Sequence, residues 1–417
     1  MKRPPISHVV LCTLGSAGDV NPFLGIGQEL RKRGYRVTLI TNSFFEAQAR
    51  DVGLEFVGLG STADYLSLIE NPDLWHPYKG LKLLAERALL PSMEPLYEII
   101  SSFDPSQTVL AAQGQLFGAH IAHEKLGFPF VTIHLQPSTF RTVHDVPVLP
   151  AWIPPLLKSG IFSLLDFFVL DPTFAPQINR FRRNLGLPVV KKIFARAMHS
   201  RQLTLGLFPD WFAPPQPDWP RQTKLTGFVF YDKRSRPEGD SKRLEEFLSR
   251  GDPPILFTPG TAMKHGSEFF ADCNTACRLL GRRGILLTQH ADQLPGDLPT
   301  EVQHFDYVPF SEILPRAAAL VHHGGIGTTA QAIAAGIPQV IRPMAYDQPD
   351  NAARVERLGI GASLKPKKFN AASLARELNR ITSSEVRDRC KLFARKIISD
   401  QSLDVTCAAL EDFARQH

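Results

Sequence analysis

Two stretches of the chain alternate short apolar, β-branched runs with segments of helical composition, and this alternation most limits what the chain can fold into. In the first stretch the apolar runs are "HVVLCT", "YRVTLIT" and "LEFVGLG". The second stretch starts with "PPILFTPGT" and continues with "GILLT", "VQHFDYV", "AALVHHGG" and "IPQVIRPM". Strands that alternate with helices form parallel sheets with helices on both faces. The sequence therefore predicts an α/β protein with two Rossmann-like domains.

The composition of the chain changes between these two stretches. The segment "FPDWFAPPQPDWPRQTKLTGFVFYDKRSRPEGDSKR" is rich in proline and aromatic residues and then turns polar, which is typical of a domain junction. With 417 residues the chain is also longer than one hydrophobic core usually supports. We expect domains at 1–220 and 241–395, a linker at 221–240, and a helical tail at 396–417 that packs back on the first domain.

Charge and cysteine content restrict the class of protein. A net charge of +6 suits an anionic small ligand or a membrane surface, and it is too small to indicate a nucleic-acid partner. The five cysteines are scattered and odd in number, which favours core residues over disulfides or a metal site. The start "MKRPPISHVVLCTLG" predicts a first strand and not a signal peptide, and Asp166 interrupts the apolar run "GIFSLLDFFVL". We therefore expect a cytoplasmic protein.

A glycine-rich turn in the second stretch indicates a phosphate site. The motif "GGIGTT" follows the run "AALVHH" and opens a helix, so its backbone N–H groups would face an anion, although a plain tight turn is the alternative. His323, Thr328 and Thr329 add short donors beside it, and Asp347 and Gln348 follow the next strand, where they can reach hydroxyls. Phosphate next to hydroxyls describes a nucleotide sugar. Ligands bind where parallel strands end, so two facing sheets would form one deep cleft.

The run from His323 to Gln348 resembles the donor-binding signature of the family 1 glycosyltransferases, which have the GT-B fold. The opening "GSAGDVNPFLGIGQELRKRGYRVTLIT" is similar to that of the bacterial members. Within the family, rhamnosyltransferases of the rhamnolipid type look most similar, through "HIAHEKLG", "LFPDWFAPPQ" and "GGIG". The resemblance implies an inverting, metal-independent hexosyltransferase that uses a dTDP- or UDP-linked sugar as co-substrate and no other cofactor.

The resemblance also implies a role for each matching residue. His323, the loop after "PPILFT" and the start of the "GGIGTT" helix would bind the diphosphate, Tyr307 and Val308 the base, and Asp347 and Gln348 the sugar. The donor-binding set is Gly260, Thr261, Tyr307, Val308, His323, Gly325, Ile326, Gly327, Thr328, Gln331, Asp347 and Gln348. As an alternative, Tyr307 is a core aromatic. Many members have a glutamate at the position of Gln331 for the ribose hydroxyls, so Gln331 fits a deoxyribose donor without excluding UDP.

Asp19 is the expected catalytic base. Many family members use an amino-terminal histidine, whereas the corresponding loop here, "GSAGDVNP", offers Asp19, as in the branch that glycosylates glycopeptide antibiotics. A carboxylate within reach of the acceptor hydroxyl can take its proton, and partial burial would strengthen the base. A turn or helix-capping aspartate is the alternative. In the same pattern we expect Asn21 to cap the first helix, with Pro22 at its first position.

The acceptor site is expected in the first domain. His134 is either a pocket wall or a satisfied core residue, and Phe140 and Trp152 belong to an apolar insert that suggests a hydrophobic acceptor such as a lipid, polyketide, sterol or flavonoid. We expect dTDP-L-rhamnose as donor, with UDP-glucose as the alternative. A GT-B sugar-nucleotide epimerase and a non-catalytic nucleotide- or lipid-binding protein are alternatives of other classes.

Residues 180–201 indicate a further partner. They hold seven Lys or Arg and no acidic residue, and they follow the apolar stretch that ends at Leu170. A solvated basic face is the alternative explanation. Basic surface beside apolar surface also suits peripheral contact with an anionic membrane.

Overall fold

The computed structural model describes residues 6–232, 238–397 and 399–417, which form two compact units. The first unit comprises Met1–Leu74, Tyr78–Val229 and Ser399–His417. The second comprises Trp75–Pro77 and Phe230–Ile398. Each unit is built on one parallel sheet with helices packed against it, so the predicted α/β class is confirmed.

The first unit contains a seven-stranded sheet in the order β3-β2-β1-β4-β5-β6-β7 among the described residues. The strands are β1 His8–Cys12, β2 Arg36–Thr41, β3 Glu55–Gly58, β4 Thr108–Gln113, β5 Phe130–His134, β6 Leu203–Gly206 and β7 Thr223–Leu225. The strand order reverses between β1 and β4, which is where open α/β sheets leave a crevice at the carboxyl ends of their strands. The segment expected as linker contains the strand β7. This strand pairs in parallel with β6 and therefore belongs to the sheet of the first unit.

The helices of the first unit cover both faces of this sheet. In chain order they are α1 Ala17–Lys32, α2 Glu46–Asp51, α3 Thr62–Glu70, α4 Lys79–Leu84, α5 Met93–Ser101, α6 Phe117–Leu126, α7 Pro155–Leu165, α8 Asp171–Asn184 and α9 Ile193–Arg196. A π-helical turn at Asp166–Leu170 joins α7 to α8. Apolar residues of α5, α6 and α8 form one buried cluster with β1 and β4.

The first helix begins earlier than the sequence indicates. We expect Asn21 to cap it, but α1 starts at Ala17, and Ser16 and Asp19 form a capping box at its start. Capping boxes satisfy backbone N–H groups that a helix start leaves without partners. Pro22 therefore lies inside the helix and not at its first position. The consequence is that Asp19 belongs to the first turn of α1, where its carboxylate position is set by helix geometry.

The second unit repeats the architecture with a six-stranded sheet in the order β10-β9-β8-β11-β12-β13 among the described residues. Its strands are β8 Ile255–Thr258, β9 Gly284–Leu287, β10 Val302–Phe305, β11 Ala319–His322, β12 Gln339–Ile341 and β13 Gly361–Ser363. Its helices are α10 Glu238–Leu248, α11 Ser267–Leu280, α12 Phe310–Ile313, α13 Ile326–Ala334, α14 Gln348–Leu358, α15 Ala371–Ile381 and α16 Ser384–Ala394. The strand order reverses between β8 and β11, again as in open sheets that bind ligands there.

The carboxyl-terminal helix α17, Ser399–Gln416, belongs to the first unit. It packs against α1, where Arg33 pairs with Glu411 at 2.9 Å and also with Asp404. Its own residues Cys407 and Leu410 are buried, and the Thr406 hydroxyl donates to the Thr226 hydroxyl at 2.8 Å. The helix therefore completes the core of a unit formed mostly by residues far earlier in the chain.

The packing of α17 lets us predict how substitutions on this helix change the free energy of unfolding. Leu410 is 1% exposed, so Leu410→Ala should lower the free energy of unfolding by about 2–4 kcal/mol, through lost burial and the cavity left behind. Val405 on the same helix is 49% exposed, and Val405→Ala should change it by less than about 0.5 kcal/mol. Chemical denaturation of both variants measures the difference. Equal effects would mean that α17 does not pack as described.

Candidate functional site

Asp19 lies at the carboxyl end of β1, in the first turn of α1. Its Oδ2 accepts hydrogen bonds from the Ser16 backbone N–H at 2.8 Å and from the Ser16 hydroxyl at 3.2 Å. Its Oδ1 accepts a longer bond of 3.3 Å from the Gln113 amide. One carboxylate oxygen is thus held by the helix start, while the other is the less engaged.

Gln113 links this loop to the neighbouring strand. It ends β4, which pairs with β1, and its Oε1 accepts the Leu14 backbone N–H at 2.9 Å while its Nε2 donates to Asp19. Gly15 completes the arrangement with a φ of 144° that residues with side chains rarely adopt. A Cβ at this position would come within 2.2 Å of Asp19 Oδ2, so only glycine lets the carboxylate fold over the loop.

Burial raises the pKa of Asp19 above the ordinary aspartate value, and this outweighs the opposing hydrogen bonds from Ser16 and Gln113. Asp64 in α3 makes the same capping box with Ser61, whose backbone N–H and hydroxyl both donate to Asp64 Oδ2. Asp64 is exposed, and there the Ser61 hydrogen bonds lower the pKa. Two aspartates in one local motif therefore differ in basicity because of burial.

In the second unit, the His323 ring lies against two glycines. A Cβ at Gly260 would come within 2.8 Å of His323 Cε1, and a Cβ at Gly325 within 2.6 Å of Nε2. Gly260 also has a φ of 98° in the loop after β8. Burial lowers the pKa of His323 to about 4, so the ring is neutral near pH 7 and can donate through one nitrogen. The adjacent His322 is structural, since its Nε2 contacts Gln339 Oε1 at 2.9 Å.

The start of α13 is the predicted phosphate site. Asp347 Oδ2 accepts the first N–H of this helix, from Ile326, at 3.1 Å. Asn351 Nδ2 holds the same oxygen at 2.7 Å and also donates to the Gly324 carbonyl at 2.9 Å. By helix geometry the N–H groups of Gly327 and Thr328 have no intrahelical acceptor, so these two remain for an anion.

The loop that presents Asp347 is strained. Tyr346 has a φ of 60°, which is uncommon for a residue with a side chain and is often found at binding sites. Gln348 is buried, and its Oε1 accepts the backbone N–H groups of Met344 at 2.8 Å and Ala345 at 3.3 Å. Gln348 therefore holds the loop with its oxygen, and only its amide nitrogen is left to face a sugar.

The other predicted donor residues lie in loops or at helix positions of the same unit. Thr261 is exposed in the loop after β8, and Gln331 is partly buried on α13. Tyr307 follows β10, and its hydroxyl donates to the Asp232 carbonyl at 2.7 Å, while Val308 belongs to a buried cluster. Tyr307 thus anchors the segment before α10, and its ring remains a predicted contact for the base.

The first unit contains a cavity of about 410 Å³. Its lining includes the ion pair of Arg141 with Asp166, together with Phe162, His199 and Trp219. Among the described residues, the three that the sequence indicates for an acceptor pocket do not line this cavity. They are His134, Phe140 and Trp152.

These three residues lie behind the cavity wall or on the surface. The Phe140 ring stacks on the Trp219 ring, with 4.6 Å between the ring centroids. The His134 ring packs edge-on to Phe140, with 4.9 Å between the centroids. Burial lowers the pKa of His134 well below its usual value, so the ring is a neutral core residue. Trp152 is 79% exposed, so it lies on the surface of the first unit.

Sequence reasoning missed Gln113, Asn351 and Tyr346. Asn351 is four residues after Asp347 on a predicted helix, and that spacing could have revealed the contact. Gln113 ends the apolar run "TVLAAQ", a polar residue at the end of a buried strand. No pattern in the sequence marks the unusual backbone of Tyr346.

Two protein-family models match the chain. Residues 9–144 match the glycosyltransferase family 28 N-terminal domain. Residues 283–402 match the erythromycin biosynthesis protein CIII-like C-terminal domain. The first match contains Asp19 and the second contains His323 and Asp347, so both candidate regions lie inside matched domains.

Curated relatives align over nearly the whole chain. An O-mycaminosyltylonolide 6-deoxyallosyltransferase of Streptomyces fradiae is 28% identical, with 98% of this chain and 97% of that protein covered. A sterol 3-beta-glucosyltransferase of Debaryomyces hansenii is also 28% identical over 91% of this chain. The chain spans only 25% of the length of that yeast protein.

Solved structures support the fold. The kitacinnamycin glycotransferase superposes with a TM-score of 0.75 at 19% identity, over 99% of this chain and 100% of that one. The spinosyn rhamnosyltransferase SpnG, solved with thymidine diphosphate, superposes with a TM-score of 0.68 at 15% identity, over 97% of this chain and 99% of that one. At such identities the likeness concerns architecture.

The glycine at position 260 provides a test of this geometry. Gly260→Ala should lower the free energy of unfolding by about 1–3 kcal/mol, because the added Cβ meets the His323 ring and the backbone conformation disfavours a side chain. Gly296 in the same unit is exposed with open space around it, so Gly296→Ala should stay within about 0.5 kcal/mol. Chemical denaturation measures the change in the free energy of unfolding of each variant, and NMR of the His323 ring reports the contact directly. An unshifted ring signal in Gly260→Ala would contradict the contact.

Proposed function

Because this chain belongs to the family 1 glycosyltransferases of the GT-B fold, we propose that it moves a hexose or deoxyhexose from a nucleoside-diphosphate sugar to a hydrophobic small-molecule alcohol, with inversion. The observation that carries the proposal is Asp19, a carboxylate whose pKa is raised by burial at the carboxyl end of β1. A protein that only binds nucleotide needs no such base.

Asp19 is proposed as the general base. As the acceptor oxygen forms its bond to the anomeric carbon, its proton passes to Asp19, and the bond from that carbon to the diphosphate oxygen breaks. Oδ1 suits this role because Oδ2 already accepts two hydrogen bonds from Ser16. Gln113 is a positioning residue, since it orients the same oxygen from β4. The raised pKa makes Asp19 a stronger base than an exposed aspartate.

The second unit is proposed to stabilise the leaving group. Negative charge grows on the diphosphate during transfer, and the N–H groups of Gly327 and Thr328 at the start of α13 are donors for it. Neutral His323 adds a hydrogen-bond donor through one ring nitrogen. Asp347, whose Oδ2 accepts the Ile326 N–H and the Asn351 amide beside the start of α13, is proposed to accept a sugar hydroxyl.

For the donor we propose dTDP-L-rhamnose, with UDP-glucose as the alternative. Gln331 on α13 supports a deoxyribose nucleotide, because an amide holds a ribose hydroxyl less firmly than a carboxylate does. The SpnG structure with thymidine diphosphate is compatible with this choice. For the acceptor, the names of the relatives point to a macrolide-type or sterol alcohol, and Phe162 and Trp219 give the cavity of the first unit apolar walls.

Asp19→Asn should lower turnover roughly 100-fold or more, the usual scale of a lost general base, while nucleotide affinity barely changes. Asp64→Asn is the matched control, because it alters the same capping box at an exposed helix start and should leave turnover unchanged. The rate at which dTDP or UDP is released after a hydrophobic alcohol is added measures the turnover of each variant. Near-native turnover in Asp19→Asn would remove Asp19 from the catalytic role.

The same pair of variants predicts a pH effect on stability. A raised carboxyl pKa gives stability at low pH that is lost as pH rises from the unfolded value of about 3.9 through the folded pKa. Asp19→Asn should therefore gain stability relative to the native protein as pH rises to 7. Asp64→Asn should lose stability, because the pKa of Asp64 is lowered. Denaturation at about pH 3 and at pH 7 tests the signs, because the stability from a lowered pKa is lost only below the unfolded value, and matching trends would contradict the assigned burial.

Gln331→Glu tests the donor assignment. The added carboxylate should shift the ratio of affinities toward UDP over dTDP by about tenfold, the scale of a hydrogen bond to a charged group. Calorimetry with both nucleotides measures the ratio in the native protein and in the variant. Strong selectivity for UDP in the native protein would favour the UDP-glucose alternative.

A further inference from the structure

We propose that the exposed apolar side of the helical segment Pro155–Asn184 docks the protein on the surface of an anionic lipid bilayer. The segment consists of α7, the π-helical turn and α8. Docking does not depend on the proposed glycosyl transfer, because a protein can bind a vesicle without catalysing a reaction.

Large apolar side chains are concentrated on the outer side of this segment, which we name the apolar face. Its members, all exposed, are Leu156, Leu157, Ile161, Leu164, Leu165, Phe167, Phe168 and Val169. Leu156 is 82% exposed and Phe168 is 69% exposed. Soluble monomers rarely expose contiguous apolar surface of this kind, and such a patch usually marks an interaction site.

The opposite side of the segment is held in the first unit. Leu170, Phe174 and Ile178 are buried at successive four-residue steps, and Phe174 packs against Phe117 at 6.0 Å. Asp166 pairs with Arg141 at 2.6 Å in the middle of the segment. These contacts hold the part of the segment from Asp166 onward in the first unit.

This anchoring decides how the segment can meet a membrane. Within the described residues one helical segment, Pro155–Asn184, is long and apolar enough by length and composition to cross a bilayer, although Asp166 interrupts its apolar run. Because its second half packs in the first unit, the segment is suited to lie in the plane of the interface with its apolar face toward the acyl chains. Trp152, exposed just before α7, is a residue type favoured at that depth.

Basic residues adjoin the apolar face. The Asp171 carboxylate accepts the backbone N–H groups of Lys192 at 2.9 Å and Ile193 at 3.0 Å, which places Lys191 and Lys192 near the start of α8, two residues after the apolar face ends at Val169. Further exposed basic residues are Arg180, Arg183 and Arg196. Arg182, which the sequence groups with them, is buried and pairs with Glu124 at 2.7 Å, so it does not contribute to this surface.

Apolar surface beside basic surface matches the two layers of an anionic bilayer, with acyl chains below phosphates. A second copy of the chain is a poorer occupant. In a symmetric contact the same patch meets itself, so the basic residues of both copies would come close together and repel. The charge pattern therefore favours a lipid surface.

Co-sedimentation of the full chain with vesicles tests the proposal. Vesicles of phosphatidylcholine with added phosphatidylglycerol should bind at least about tenfold more protein at low salt than phosphatidylcholine alone, and high salt should reduce this. Leu164→Gln with Phe168→Gln should lower binding about tenfold, as should Arg180→Gln, Arg183→Gln, Lys191→Gln and Arg196→Gln together. The control is Leu279→Gln with Leu392→Gln, two exposed leucines of the second unit, which should bind as the native chain does.

Fluorescence adds a local readout. On binding, the emission of Trp152 should shift to shorter wavelength, and Trp152→Phe should remove most of the shift. Unchanged melting temperatures and unchanged dTDP binding show that the variants fold and that any failure concerns docking and not donor recognition. Equal binding to neutral and anionic vesicles, or native-like binding by the Leu164 and Phe168 variant, would overturn the proposal. A native dimer that this variant dissociates would assign the face to a contact between copies and overturn it as well.

Discussion

The parallel pairing of β1 with β4 is the constraint on which the candidate site of the first unit depends. It sets Cys12 beside Ala112, so that Gln113 at the end of β4 reaches both the loop after β1 and Asp19. A slip of one residue would turn Gln113 to the opposite face of the sheet. The core that buries β1 and β4 therefore also positions the proposed base, and packing and function are joined at this strand pair.

Burial decides what the local motifs can do. The carboxylates of Asp19 and Asp64 each accept the backbone N–H and the hydroxyl of the serine three residues earlier, yet the pKa of Asp19 is raised and that of Asp64 is lowered. The cost of removing a charge from water exceeds the gain from the serine bonds only where surrounding elements exclude solvent. His323 follows the same rule, since burial keeps it neutral, so that one ring nitrogen can donate a hydrogen bond and the other can accept one.

In the second unit, strain and support occur together. Tyr346 and Gly260 have backbone conformations with positive φ on either side of the proposed phosphate site. Gln348 offsets the cost at Tyr346 by accepting the N–H groups of Met344 and Ala345, and Asn351 holds Asp347 and the Gly324 carbonyl. The arrangement keeps Asp347 at the start of α13. Its carboxylate accepts the N–H of Ile326 and leaves the N–H groups of Gly327 and Thr328 for an anion.

The sequence alone indicated the strands β1–β3 and β8–β12 and the positions of the loops after β1, β8 and β11, because β-branched runs and glycine-rich turns are local signals. It misplaced the start of α1, since Asn21 and Pro22 also form a good start and only the bonds of Ser16 with Asp19 show which one is used. Only the tertiary structure brought Gln113 to Asp19, 94 residues apart, and left Trp152 in solvent. Contacts and burial depend on which elements pack over a residue, and local composition does not encode that.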